Sequence, residues 1–369
     1  MIWRYLVLIL LVTFSSAFAQ TTRPFMTGVD ANYSLDMHSR GKTWSADGKV
    51  DDLFAILHRA GVDTFRVRLW TGDEGMNGLN YATEVAKRAQ AAGIKPYLVI
   101  FLSENWSDMV KQPGPAIWKD LDYDGKVKAV EAYAERVTKH FADAGVKIDL
   151  FEIGNEIDFG ICGEFEEEWP KRVSLDYMRA KIWARMAPII LAAENGVKKV
   201  RPEAKFILHL ARWNEAAYCT AFWQTMLAAG VQVDYAGLSY FPTSAAEPKE
   251  RSLPFLLTQV DSIYIKLNRP VIICESGYPS EPKFPGQFAD WNKPIDGYTL
   301  DPAGQAKWLA DYFAAARDDH ELAGVFYWSP EWYDSEMWSA FALFDSKGNA
   351  KPALRSLEQP PPTTRPINN

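Results

Sequence analysis

Eight short runs rich in β-branched and aromatic residues, each parted from the next by a helix-length segment, restrict this chain to an α/β architecture. The runs are Thr27–Asn32, Thr64–Trp70, Lys95–Ser103, Asp149–Glu156, Lys205–Ala211, Tyr235–Pro242, Pro270–Gly277 and Gly324–Ser329. Helical patterns lie between them at Asp51–Arg59, Tyr81–Ala92, Lys126–Ala144, Ser174–Asn195, Thr220–Ala229, Phe255–Leu267 and Pro302–Arg317. In the second of these, Tyr81, Val85, Ala89 and Ala92 form one apolar stripe. Gly61, Gly93, Gly145 and Gly230 follow helical segments where a left-handed cap is wanted. The strand runs are almost continuously apolar, as parallel strands covered on both faces must be. Eight such repeats predict a single (β/α)₈ TIM barrel. A doubly wound sheet would also alternate, but no Gly-rich phosphate loop opens any of the helices, so the nucleotide-binding version is unsupported.

The connections are asymmetric. Glu104–Gly125, Ile157–Val173, Ser276–Asp301 and Pro330–Pro352 are long and all follow strands, whereas the helix-to-strand turns are short. In a barrel, the loops that follow strands build the active face. At that face two carboxylates stand out. Glu156 ends the fourth run, directly after Asn155, and Glu275 lies near the end of the seventh. Strands four and seven face each other across an eight-stranded barrel. Glycosidic cleavage needs one carboxylic acid to protonate the leaving oxygen and one carboxylate across the anomeric carbon, about 5–5.5 Å away for retention.

Composition narrows the alternatives. The formal charge of −7 argues against nucleic acid or an anionic membrane as partner. Fourteen Trp residues suit both burial and stacking on sugar rings. His38, His58, His140, His209 and His320 are scattered without a metal-ligand spacing, so a metal-dependent hydrolase is disfavoured and no metal or cofactor is expected. Arg4 followed by the apolar run to Phe14 and by Ala17-Phe18-Ala19 reads as a secretory signal over residues 1–19, too short to span a membrane. The catalytic domain is then expected over 20–358, followed by a disordered Pro-rich tail at 359–369. These features predict a secreted or periplasmic monomer acting on an oligosaccharide or polysaccharide.

The motifs Gly154-Asn155-Glu156, Gly237-Leu-Ser-Tyr240-Phe-Pro242, Glu275-Ser-Gly-Tyr278-Pro279 and Val325-Phe-Tyr-Trp328, with Arg66-Val-Arg68-Leu-Trp70 before them, together resemble glycoside hydrolase family 53. That family comprises the endo-β-1,4-galactanases of a large clan of retaining (β/α)₈ enzymes. The resemblance extends from about Gly28 through Ala353. It implies Glu156 as acid/base and Glu275 as nucleophile, with Asn155 holding the sugar 2-hydroxyl. It also implies Tyr240 as a donor to Glu275 and Trp328 as the floor of the −1 subsite. Arg66 and Arg68, two apart on one face, are expected in the substrate site, one of them pairing with Glu275 and keeping it ionised. Trp106 and Trp213 are candidate sugar platforms, and Asp30 is a candidate contact to sugar or to an Arg. The cluster Glu164, Glu166, Glu167 and Glu168 is read as a solvated loop face.

The resemblance breaks at Phe101, which stands where the family pattern carries a His. That departure bears on which sugar is recognised more than on hydrolysis. Another endo-glycanase of the clan, a mannanase or a galactanase of other linkage, is the alternative, followed by a non-catalytic sugar-binding barrel. Asp290, Asn292 and Asp296 lie where some relatives hold calcium, without a convincing ligand spacing. Cys162 and Cys219, in neighbouring loops, are expected to pair as a disulfide, and Cys274 to point away from Glu275 into the barrel wall.

Overall fold

The computed structural model describes residues 24–358, so the expected signal and tail lie outside the described residues. Eight parallel strands close into a barrel: β1 (Met26–Asp30), β2 (Thr64–Leu69), β3 (Lys95–Ile100), β4 (Leu150–Ile153), β5 (Lys205–Leu210), β6 (Tyr235–Tyr240), β7 (Val271–Ser276) and β8 (Leu322–Trp328). Each expected run overlaps one of them, β1 starting one residue and β8 two residues earlier than expected. The barrel shuts where β1 pairs with both β8 and β2. Around it run α1 (Leu53–Arg59), α2 (Leu79–Ala91), α3 (Tyr123–Asp143), α4 (Ala184–Val200), α5 (Ala216–Ala228), α6 (Leu253–Leu267) and α7 (Pro302–Asp318). A final 3₁₀ turn, Pro352–Leu357, packs on α7 in place of an eighth helix.

Local chemistry sets the helix limits. Asp52 accepts from the N–H groups of Phe54 and Ala55 to open α1, and Asp122, Ser252 and Asp301 cap α3, α6 and α7 in the same way. The four glycines after helical segments all adopt positive φ. Of the limits that differ from expectation, two have a visible cause. α4 runs past Asn195-Gly196, because Gly196 lets α3 approach closely; a Cβ there would lie 2.2 Å from the Glu131 carbonyl oxygen. α5 begins four residues before Thr220 because it is apolar on nearly every side, which hides its period.

The barrel interior is a packed core. Tyr97, Val99, Phe101, Ile207, Ile272, Cys274, Ala323 and Phe326 fill it from several strands. Gly28 makes room for this packing, since any Cβ would lie 2.1 Å from the Phe326 ring. Truncating Phe326 to Ala would therefore empty the barrel centre, at a cost of about 3–5 kcal/mol. Cys274 sits inside this core and not in the wall. β7 carries one residue more than β6 opposite Leu238–Ser239, so that Ile273 pairs with Leu238 and Glu275 with Ser239. The bulge brings both Cys274 and Glu275 to the inner side.

Candidate active site

Arg66 organises the upper end of the barrel. It projects inward from the middle of β2, is fully buried, and is surrounded by carboxylates from three other strands. Its Nη1 donates to Asp30 Oδ2 and to Glu275 Oε1, both at 2.7 Å. Its Nε donates to Glu152 Oε2 at 3.0 Å, and its Nη2 donates to Glu152 Oε1 and, at 2.7 Å, to Asn155 Oδ1. Arg68, two residues on, pairs with Asp30 and lies beneath the rings of Tyr33, Trp106 and Trp328 at 5.0, 5.1 and 5.0 Å. Charges this deeply buried persist only when paired. Glu152, holding Arg66 and His209, is pulled down to about 2 despite its burial.

Glu275 and Glu156 are treated differently by this network. Burial pushes Glu275 up to about 8, against the opposing pull of Arg66 and Arg68. The expectation that Arg66 would hold Glu275 at an ordinary carboxylate value is thus not met, because desolvation in the substrate-free barrel outweighs the ion pair. Glu156 is raised well above its ordinary value by burial, then by the charges of Glu275 and Asp108. It touches no cation, so of the two Glu275 is the easier to ionise. The Glu164–Glu168 stretch is not among the causes; Glu164 is paired with Lys126 and Arg185, and Glu168 with Lys171. Glu156 itself sits at φ 47°, a left-handed conformation that costs a side-chain-bearing residue roughly 1–3 kcal/mol. Gln112 Nε2 steadies this turn, donating to the carbonyls of Asn155 at 2.8 Å and Glu156 at 3.3 Å.

Both carboxylates open into one cleft of about 690 Å³, lined by Tyr33, Trp106, Trp213, Phe241, Trp291 and Trp328. Trp328 Nε1 is buried without a hydrogen-bond partner in the protein. Trp106 donates from Nε1 to Asp108 Oδ2 at 2.9 Å, which fixes its ring at the edge of Phe101, 5.7 Å away. Expected site residues that do not line this cleft are Asp30, Arg66, Arg68, Asn155 and Tyr240. The first three form the ion-pair floor and are wholly covered by the side chains above them. Asn155 is also buried and spends its amide on Arg66 and on the carbonyl of Ser107.

Tyr240 is the clear correction. It does not reach Glu275; its hydroxyl donates to the Arg251 carbonyl at 3.4 Å, and its ring packs on Trp213, Trp308 and Tyr312. Strand side chains alternate, so with Ser239 facing Glu275 across the ladder, Tyr240 must face the helices. Ser239 takes the inward place and lines the cleft. Ser239 and His209 were not singled out in the sequence, where Ser239 reads as one small residue in an apolar run and His209 as a lone structural His. The expected disulfide is also absent: Cys162, Cys219 and Cys274 are buried free thiols, with Cys219 Sγ directed to the Arg212 carbonyl.

Ligand-type atoms of Glu152, His209 and Cys274 do gather within 4.8 Å of one another. Both Glu152 oxygens already accept from Arg66, and Tyr97 and His209 bond them as well. A metal ion there would have to displace a guanidinium. What this arrangement can do is hold two carboxyl groups of unequal proton affinity over an apolar, aromatic-walled cleft, which suits acid-assisted displacement at a sugar carbon.

Residues 26–357 match the model of Glycosyl hydrolase family 53. The arabinogalactan endo-beta-1,4-galactanase A of Aspergillus niger is 28% identical over 319 residues, covering 84% of this chain and 85% of the fungal one. The endo-beta-1,4-galactanase of Bacillus subtilis (strain 168) is 25% identical over 324 residues, covering 84% and 71%. Among solved structures, the Ignisphaera aggregans GH53 catalytic domain superimposes with a TM-score of 0.76 at 25% identity, over 90% of this chain and 95% of that one.

Proposed function

This chain belongs to glycosyl hydrolase family 53, and on that premise we propose that it cleaves β-1,4-galactan internally, with Glu275 as nucleophile and Glu156 as acid/base. It is a retaining glycoside hydrolase; the galactan and the residue roles are our reading. The observation that carries the roles is the asymmetry of the two cleft carboxylates, Glu275 held by Arg66 and Glu156 by no cation. Glu275, once ionised, attacks the anomeric carbon while Glu156 passes its proton to the departing sugar oxygen. Glu156, now a carboxylate, then takes a proton from the water that hydrolyses the glycosyl-enzyme.

Arg66, Arg68 and Asp30 act beneath this as a charged floor that orients Glu275. Asn155 serves the sugar 2-hydroxyl only if it exchanges its bond to Ser107. Trp328, with its free Nε1–H, forms the floor of the −1 subsite, and Trp106 and Trp213 flank it. Residues 1–19 serve as an export signal, and the enzyme works outside the cytoplasm as a monomer. Among the described residues no helix is long and apolar enough to cross a membrane.

Reducing-sugar release by the purified protein from linear β-1,4-galactan, β-1,3-galactan, mannan, xylan and cellulose tests the reading, with Glu156→Gln and Glu275→Ala alongside. Release from β-1,4-galactan as a ladder of oligosaccharides, abolished in both variants, is expected. Release from another glycan alone would overturn the substrate and retain the chemistry. Unchanged release by either variant would overturn the residue roles.

A further inference from the structure

Behind Glu156 lies a hydrogen-bonded chain that the two-step reaction does not by itself require. Ser239 Oγ is 2.5 Å from Glu156 Oε1 and 2.9 Å from His209 Nε2. His209 Nδ1 is 3.0 Å from Glu152 Oε1; Ser239, His209 and Glu152 are buried, and Glu156 is half-buried where it meets the cleft. Glu152 is held ionised by Arg66, so it can only accept. It therefore fixes the proton of a neutral His209 on Nδ1, as carboxylate partners of imidazoles do. Nε2 is then left bare and facing Ser239. One hydroxyl proton thus stands between two acceptors, the His209 nitrogen and the Glu156 carboxyl.

We propose that Ser239 is a switchable donor: it gives its proton to His209 while Glu156 is protonated, and turns it to Glu156 once that carboxyl has ionised. No bond to hydrogen is broken in this exchange; the hydroxyl rotates, trading a neutral acceptor for an anionic one. A hydrogen bond to a charged group is worth about twice a neutral one. The donor therefore stabilises the Glu156 carboxylate as it forms in the first step and lets go when Glu156 regains its proton in the second. Ser239 and His209 are positioning residues, acting on the sugar only through Glu156. This inference rests on the assignment of Glu156 as acid/base.

The charges that face the pair are few. Glu275 from β7, Asp108 from the loop after β3 and Asp158 from the loop after β4 bear on Glu156. Glu152, Arg66 and Asp30 bear on His209. Ser239 is the hydrogen-bond donor that favours ionised Glu156, set against these repulsions.

The test compares Ser239→Ala and Ser239→Thr with the parent on two substrates: the glycan, and a dinitrophenyl glycoside of the matching disaccharide, whose leaving group needs no protonation. Without the donor only the ionised form of Glu156 is weakened, so its proton affinity rises. The alkaline limb of kcat/KM should move up by about one pH unit or more, and glycan turnover should fall on the order of tenfold to a hundredfold. The loss in kcat/KM on the dinitrophenyl glycoside should be at least about tenfold smaller than that on the glycan, because kcat/KM reports formation of the glycosyl-enzyme, and with this leaving group that step does not ionise Glu156. Ser239→Thr should restore the limb. His209→Leu, with folding checked by circular dichroism, leaves Ser239 no acceptor but Glu156 and should move the limb down. An unmoved alkaline limb in Ser239→Ala, or equal losses on both substrates, would overturn the proposal. Glycan hydrolysis surviving in Glu156→Gln would instead overturn the reading beneath it.

Discussion

Arg66 Nη1 donates at 2.7 Å both to Glu275 Oε1 on β7 and to Asp30 Oδ2 on β1, so one nitrogen ties the proposed nucleophile to the first strand. The planar fork is what permits this, since Nε and Nη2 are simultaneously engaged by Glu152 and Asn155. Arg66→Lys supplies charge without the fork. We expect kcat/KM to fall by more than about a hundredfold and stability by about 3–5 kcal/mol, as for a buried pair left incomplete. Denaturant unfolding and steady-state kinetics would measure both. A loss of activity with unchanged stability would show that the floor is less coupled than its geometry implies.

The pH profile follows from the same groups. Glu275 must be ionised to attack, and burial has raised it to about 8 in the substrate-free cleft. The free enzyme should therefore gain kcat/KM as pH rises through the neutral range, with an acid limb far above an ordinary carboxylate value. Glu156, raised well above its ordinary value by burial and with no cation beside it, sets the alkaline limb. A kcat/KM acid limb near pH 4.5 would show that the guanidiniums prevail over desolvation.

Trp328 presents a buried Nε1–H with no partner in the protein. Trp328→Phe retains an aromatic floor over Arg68 and deletes that donor. If the sugar accepts from it, kcat/KM should drop on the order of tenfold with little change in thermal midpoint. Equal kinetics for the two proteins would leave the Trp a packing role only.

Glu331 lies wholly buried after β8, pushed up to about 8 by desolvation; its Oε1 accepts from the Tyr33 N–H and its Oε2 has no partner. An acid raised on folding costs stability that grows as pH climbs from the unfolded value, near 4.3, toward 8. Glu331→Gln keeps the acceptor for Tyr33 and removes the titration. It should be more stable than the parent by a few kcal/mol at pH 7.5 and equal to it below pH 4. Denaturation at the two pH values decides this; a gain that persisted at low pH would have to come from packing.

The eight strands, their intervening helices and the two carboxylates at opposite strand tips were legible in the sequence. Each rests on a local signal: apolar runs, helix periodicity, glycine caps, and acids where apolar strands end. That one of Arg66 and Arg68 pairs with Glu275 was legible too, because two charges in a barrel mouth require partners; that it is Arg66, with Arg68 turned to Asp30, came from the structure. Tyr240, Ser239 and Cys274 were not. The direction of Cys274 depends on one extra residue in β7, and a bulge leaves no mark in the strand's own pattern, while the faces of Ser239 and Tyr240 follow from which side of the closed barrel β6 turns inward. Nor was the chain from Glu156 to Glu152 visible, since Ser239 and His209 come from neighbouring strands and acquire meaning only from distances between them. The proton affinities of Glu156 and Glu275 likewise come from burial, which exists only once the barrel has closed. Sequence settled which groups stand at the strand ends; closure settled which way they face and how tightly each holds its proton.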